Sequence, residues 1–195
     1  MNTDTLKTAC SARVCPHKMA FMLDNWIRRM LQNPDRILDG YIRKGDTVVD
    51  IGCGPGFFTT AMAITVGKAG RVVAVDLQEE MLARVRKKAA AGNLEGVIDY
   101  HRCTQESIGL HLNSGADFIL AYYVVHELPD PGGFFREART LLKENGRCLV
   151  VEPKMHVGES QFRIMIRTAE KAGFEVLDRP NRKGGRSVLF GRPRQ

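Results

Sequence analysis

The chain has 195 residues, 44% of them apolar, 26% charged and 7% aromatic, the balance of one globular domain with enough apolar material for a sizeable core. That composition excludes collagen, a coiled coil and an intrinsically disordered chain. No run approaches the roughly 20 apolar residues of a membrane helix, and no apolar leader core precedes Cys10, so a soluble cytoplasmic protein is expected. The net charge of +7 admits an anionic partner such as RNA or a phosphorylated metabolite. Much of the excess sits at 84–88 and 179–194, where a solvated helix face and a terminal region account for it. Five scattered cysteines, an odd number, are expected to be reduced thiols rather than a disulfide framework.

In chain order, Met19, Met22, Leu23, Trp26, Ile27, Met30 and Leu31 recur at steps of three and four and predict an amphipathic helix over 15–31. Asn33-Pro34 then opens a second helix, with Ile37, Leu38, Tyr41 and Ile42 on its stripe and an end near Lys44-Gly45. From Thr47–Ile51 onward, short apolar runs at 71–75, 97–101, 117–122 and 147–151 alternate with helical patterns. This is the signature of an α/β three-layer fold on a mostly parallel sheet. The helical faces are Met81, Leu82, Val85 and Ala89, then Phe134, Phe135, Ala138 and Leu141, then Phe162, Met165, Ile166 and Ala169. Gly92, Gly146 and Gly173 are read as left-handed helix ends. The last two runs, 174–177 and 187–190, are joined without a helix and must pair antiparallel.

The chemistry concentrates in Val48–Gly56, a strand running into a glycine-rich turn and then a helix over 57–66. Glycines there let the main chain approach a ligand closely, and the helix start presents unpaired N–H groups. A dinucleotide loop would read G-x-G-x-x-G, but Phe57 stands where its third glycine belongs. Twenty residues after Gly56, Asp76 ends the next strand, where a carboxylate can accept both hydroxyls of a ribose; capping the following helix is its structural alternative.

DIGCGPG at 50–56, AVD at 74–76, ADFILAYYVVHEL at 116–128 and LLKENGRCLVVEP at 141–153 resemble the class I S-adenosylmethionine-dependent methyltransferases. The similarity is to the small-molecule branch that includes ubiquinone and menaquinone biosynthesis methyltransferases, and it runs from about residue 45 to 191. It implies a Rossmann-like, seven-stranded sheet with an antiparallel last strand, S-adenosyl-L-methionine as cofactor and S-adenosyl-L-homocysteine as product. It also implies a cofactor-binding core over 45–195, with 1–44 as a helical lid. Carried over by position, Asp50, Gly52, Cys53, Gly54 and Gly56 serve the methionine end, Asp76 the ribose, and Leu77 and Met81 the adenine faces. Ala121 and Tyr122 fall near the sulfonium. The family's acid after the third strand is replaced by Arg102-Cys103-Thr104-Gln105. Adenine is then left to backbone groups of Cys103 and Thr104, or to Gln105 or Glu106.

Methyl transfer from a sulfonium is an in-line displacement that positioning and exclusion of water can support without a catalytic triad. Where the acceptor must lose a proton, His126 is the first candidate base, with Tyr122 and Tyr123 as orienting groups; a hydrogen-bonded structural histidine is the alternative. Cys10, Cys15 and His17 lack the partner pair of a zinc motif, so no metal is expected. A small-molecule acceptor is the leading expectation. An RNA acceptor, a non-catalytic cofactor-binding module and a homodimer that completes the site are the alternatives.

Overall fold

A computed structural model describes residues 33–182 and 184–193. The helix read at 15–31, with Trp26, Cys10, Cys15 and His17, lies outside the described residues. Within them the order is α1 (Pro34–Leu38), β1 (Thr47–Ile51), α2 (Phe57–Val66), β2 (Arg71–Asp76), α3 (Glu79–Ala91), β3 (Ile98–Arg102), β4 (Ala116–Tyr122), a 3-10 turn (Val125–Glu127), α4 (Pro131–Leu141), β5 (Leu142–Pro153), α5 (Glu159–Lys171), β6 (Glu175–Asp178) and β7 (Gly185–Gly191).

The seven strands form one sheet in the order β3-β2-β1-β4-β5-β7-β6. β1 pairs parallel with β2 and β4, and β7 runs antiparallel between β5 and β6. The short final link therefore gives the hairpin expected of it. Because side chains alternate along a strand, Val48, Val72, Phe118 and Leu120 pack under α1, α2 and α3. Val49, Val73, Ile119 and Val150 pack under α4 and α5 on the other face. Sheets buried on both faces need such near-continuous apolar strands. The order reverses between β1 and β4, so a crevice opens beyond the carboxyl ends of β1, β2 and β4, where open α/β sheets bind ligands.

Three local readings are corrected. The second helix stops at Leu38; Gly40 turns left-handed at φ 74°, and Tyr41 stacks on Phe118 with ring centroids 5.7 Å apart. Ile37, Leu38 and Ile42 are still buried, so the apolar stripe was real and the single helix was not. Gly92 has φ −99° and passes the left-handed turn to Asn93 at φ 54°. Gly146 lies inside β5, where a Cβ would stand 2.7 Å from the Ala116 carbonyl oxygen. Only Gly173, at φ 92°, behaves as the helix-end reading expected.

The edge of the sheet opposite the crevice is fastened by Asp117. Its carboxylate accepts from the Thr47 amide at 2.8 Å and from Lys143 Nζ at 2.7 Å. Asp117→Ala should cost about 1 kcal/mol, mostly from the amide left unmet, since the half-exposed ion pair contributes little. A urea midpoint unchanged by this substitution would show the clasp to be idle.

Candidate functional site

The glycine turn hangs from the neighbouring strand, because the amides of Gly52 and Cys53 both donate to the Val75 carbonyl, at 2.9 and 3.0 Å. Gly52 and Gly54 hold φ +68° and +53°. Apart from Gly54 itself and its two chain neighbours, no heavy atom of the described residues lies within 4 Å of where a Cβ on Gly54 would stand. Asp76, 7% exposed, closes the turn from the tip of β2. One carboxylate oxygen accepts from the Gly54 amide at 2.8 Å and the other from the Gln78 amide at 2.9 Å. Asp76 thus ties the glycine turn to Gln78, the residue ahead of α3, without capping the helix itself, and lone pairs are left on both its oxygens. Burial raises its pKa against the pull of the Gln78, Gly54 and Leu77 amides.

These groups line a cleft of about 940 Å³, counted to its open mouth, at the upper end of ordinary small-ligand sites. Gly52, Gly54, Asp76, Leu77, Met81, Cys103 and Thr104 all line it, so seven expected cofactor residues converge there. Ile51, Ile108, Val124, Leu128 and Phe134 supply apolar wall that the sequence reading missed. Their signal was ordinary apolar periodicity, which does not distinguish a cavity wall from core.

Other expected residues lie behind the wall. Asp50, 2% exposed, accepts from Thr59 Oγ1 at 2.6 Å and ties β1 to α2. Gly56 packs against Val85, and Ala121 is fully buried. The Cys53 thiol is buried, and burial, then the carboxylates of Asp50 and Asp76, push its pKa well up. Cys103 is pushed up to about 11, first by burial and then by Asp76. Neither thiol is a nucleophile near neutral pH.

At the far end of the cleft, the N–H groups of Cys103 and Thr104 are already engaged, which leaves their carbonyls as the backbone groups for adenine. Cys103 donates to the Asp76 carbonyl at 3.1 Å and Thr104 to the Ser107 carbonyl at 3.1 Å. Gln105 and Glu106, which also line the cleft, are the remaining side chains for a polar ring edge.

The residues read as catalytic do not line this cleft. Phe58, Tyr122 and Tyr123 form an aromatic run, with successive ring centroids at 4.5 and 4.4 Å, on the face of α1 and α2. Tyr123 holds a left-handed φ of 64° at the end of β4, a conformation that is uncommon for a bulky residue. His126 turns away into a separate cavity, its Nδ1 bonded to Glu152 Oε2. The second Glu152 oxygen accepts from the Val125 amide at 2.9 Å, and the Glu152 side chain is 1% exposed.

The basic terminal stretch also finds structural work. Arg182 donates to the Ile37 carbonyl and the Tyr41 hydroxyl, Arg186 to the Val157 carbonyl, and Arg192 to the Leu142 carbonyl. Among the described residues, no helix is long and apolar enough to cross a membrane, and no group of three or more metal-ligating side chains is assembled.

Residues 42–178 match the methyltransferase domain family, and the chain belongs to that family. It is 27% identical over 147 residues to a demethylmenaquinone methyltransferase of Lactobacillus johnsonii, covering 70% of this chain and 59% of that protein. It is 31% identical over 111 residues to a ubiquinone/menaquinone biosynthesis C-methyltransferase of Escherichia coli, covering 57% of this chain and 44% of that one. The chain thus spans about half the length of the curated relatives it matches. Among solved structures, a SAM dependent methyltransferase from Aquifex aeolicus is similar with a TM-score of 0.79 at 25% identity, over 90% of this chain and 97% of that chain.

Proposed function

We propose that this chain is an S-adenosylmethionine-dependent methyltransferase that passes the methyl group to a small-molecule acceptor and releases S-adenosylhomocysteine. The observation that carries this reading is the convergence of Gly52, Gly54 and Asp76 with the apolar surfaces of Leu77 and Met81 in one cleft. The residues fit the group: a cradle without Cβ atoms for the methionine end, lone pairs of a carboxylate for a diol, and an apolar slot for a flat ring. When bound, the cofactor supplies a methyl group already activated by its sulfonium charge.

The chain's own contribution is positioning and dryness. Asp76 holds the ribose hydroxyls and, through the Gly54 amide, the shape of the turn. Gln105 or Glu106 meets the exocyclic amine of the ring. Tyr122, Tyr123 and His126 stay outside the cleft, and their part is to hold its surroundings: the tyrosines brace the tip of β4 against Phe58, and His126 fastens the 3-10 turn through Glu152. Between Asn33 and Gly45 the chain seats Ile37, Leu38 and Ile42 on the core. The quinone-biosynthesis relatives favour a small acceptor.

Calorimetric titration with S-adenosylhomocysteine and with NADH tests the reading. Micromolar binding of the first and none of the second is expected, with Asp76→Ala weakening the first by at least about tenfold, about 1.4 kcal/mol. A wild-type protein that takes NADH, or neither ligand, overturns the proposal.

A further inference from the structure

A second cavity, of about 710 Å³ counted to its open mouth, lies between the 3-10 turn, the 153–158 link and α5. It shares no lining residue with the cofactor cleft. The 3-10 turn is their common partition: Val124, Glu127 and Leu128 face the cleft, and Val125 and His126 the second cavity. The body of this cavity is apolar, with Val125, Val157, Ile164 and Met165 in its wall.

Its polar groups can be counted by what each has left to offer. Glu152 lines the cavity, but one carboxylate oxygen takes the Val125 amide and the other takes His126 Nδ1. Its charge is balanced by the imidazole, so it is a poor acceptor for a ligand. Because a carboxylate only accepts, Nδ1 carries the proton, and Nε2 is the nitrogen His126 has left. Burial lowers the His126 pKa, but the Glu152 hydrogen bond, the Glu152 charge and Glu127 together raise it further, so that at pH below this raised value the ring is doubly protonated and Nε2 donates. His156 stands beside it, with ring centroids 5.8 Å apart. Gln161 Oε1 is taken by the Gly158 amide at 3.0 Å, which leaves the Gln161 amide NH₂ to donate. Thr168 Oγ1 donates to the Ile164 carbonyl at 3.0 Å and retains only acceptor capacity. Three donors around an apolar pocket, with the single carboxylate already satisfied, describe a receptor for an anion carried on an apolar body.

We propose that this cavity is a second ligand site, distinct from the cofactor cleft, for a small organic carboxylate whose anionic end meets His126, His156 and Gln161 and whose apolar body lies against Val157, Ile164 and Met165. The class follows from the donor set: a phosphate alone leaves the apolar wall unused, and a neutral aromatic leaves the donors unmet.

Ile164 makes the test clean. It is 62% exposed at the lip of the cavity, on an outward position of α5, so a charge placed there leaves the fold intact. The probes are 4-fluorobenzoate and its uncharged counterpart 4-fluorobenzamide, followed by fluorine NMR on the full chain. Fluorobenzoate binding that weakens at least about tenfold in Ile164→Glu and is kept or strengthened in Ile164→Lys is expected, as partly desolvated charge pairs reach that size. Fluorobenzamide should bind at least about tenfold more weakly than fluorobenzoate in the wild type. Saturation with S-adenosylhomocysteine should leave the fluorobenzoate signal in place, because the sites are separate. The proposal is overturned by no binding of fluorobenzoate, equal binding of the amide, indifference to Ile164→Glu, or displacement by S-adenosylhomocysteine. A protein that binds fluorobenzoate in this pattern but not S-adenosylhomocysteine would refute the methyltransferase reading and leave this one standing.

Discussion

Glu152→Leu is expected to lower stability by about 3 kcal/mol, which for a chain of this size is a fall in melting temperature of roughly 6–12 °C. The carboxylate is at the carboxyl end of β5, 1% exposed, and both its oxygens are committed across the sheet tip to residues following β4. Leucine fills similar volume but strands the Val125 amide and removes the counter-charge of His126. An unmet buried donor costs about 1–3 kcal/mol, and a broken buried pair about 3–5. The lower end applies because the His126 side chain is 20% exposed and can release its proton. Glu152→Gln, which keeps an acceptor for Val125, should cost about half as much. A Glu152→Leu protein that melts within about 1 °C of wild type would show the pair to be ornamental.

The same pair sets a pH dependence with a definite sign. His126 is pulled down by burial but raised further by Glu152 and Glu127, so its folded pKa lies above the ordinary imidazole value. The folded state then binds the proton more tightly than the unfolded chain does. Its contribution is fully present below the unfolded value near 6.5 and is lost as pH rises through the raised folded value. Urea midpoints should therefore fall on going from mildly acid to mildly alkaline buffer, and that component should vanish in His126→Gln. A component that persisted in the variant would belong to another group.

What the sequence made legible was whatever depends on local pattern. Thr47–Ile51, the glycine turn and Asp76 were readable because a strand, a turn and the next strand tip lie within thirty residues and their geometry is largely self-determined. The final hairpin was readable because a link without a helix admits one pairing. The direction of His126 was not, since it is set by Glu152, twenty-six residues away and brought beside it only by the parallel pairing of β4 with β5. The occupied amides of Cys103 and Thr104 were hidden for a related reason: one bonds across to β2 and the other inside its own loop, and neither bond leaves a residue-type signature. Tyr41 and Ile42 kept the spacing of a helix face, yet their burial comes from a turn laid on β4, where Phe118 holds the ring.

Gly52→Ala is expected to lose both stability and cofactor binding, whereas Gly54→Ala should lose chiefly the binding. Both residues hold left-handed backbone, which costs about 1–2 kcal/mol once a Cβ is present. At Gly54 the added methyl meets nothing within 4 Å beyond its chain neighbours, so that strain is the whole structural cost, and on the proposed function the methyl stands on the lining of the cofactor cleft. At Gly52 it would stand 2.7 Å from Val124 Cγ2 and 2.9 Å from Val124 Cβ. Val124 has little room to retreat, because the next amide is fastened to Glu152. Overpacking adds about 1–3 kcal/mol, for a total of roughly 3 kcal/mol. The double variant Gly52→Ala with Val124→Ala separates the two causes. Removing the valine methyls should recover the steric share and leave the backbone strain, so the double variant should melt above Gly52→Ala. A double variant no more stable than Gly52→Ala would mean that backbone conformation alone explains the glycine, and that Val124 and the glycine turn are not in mechanical contact.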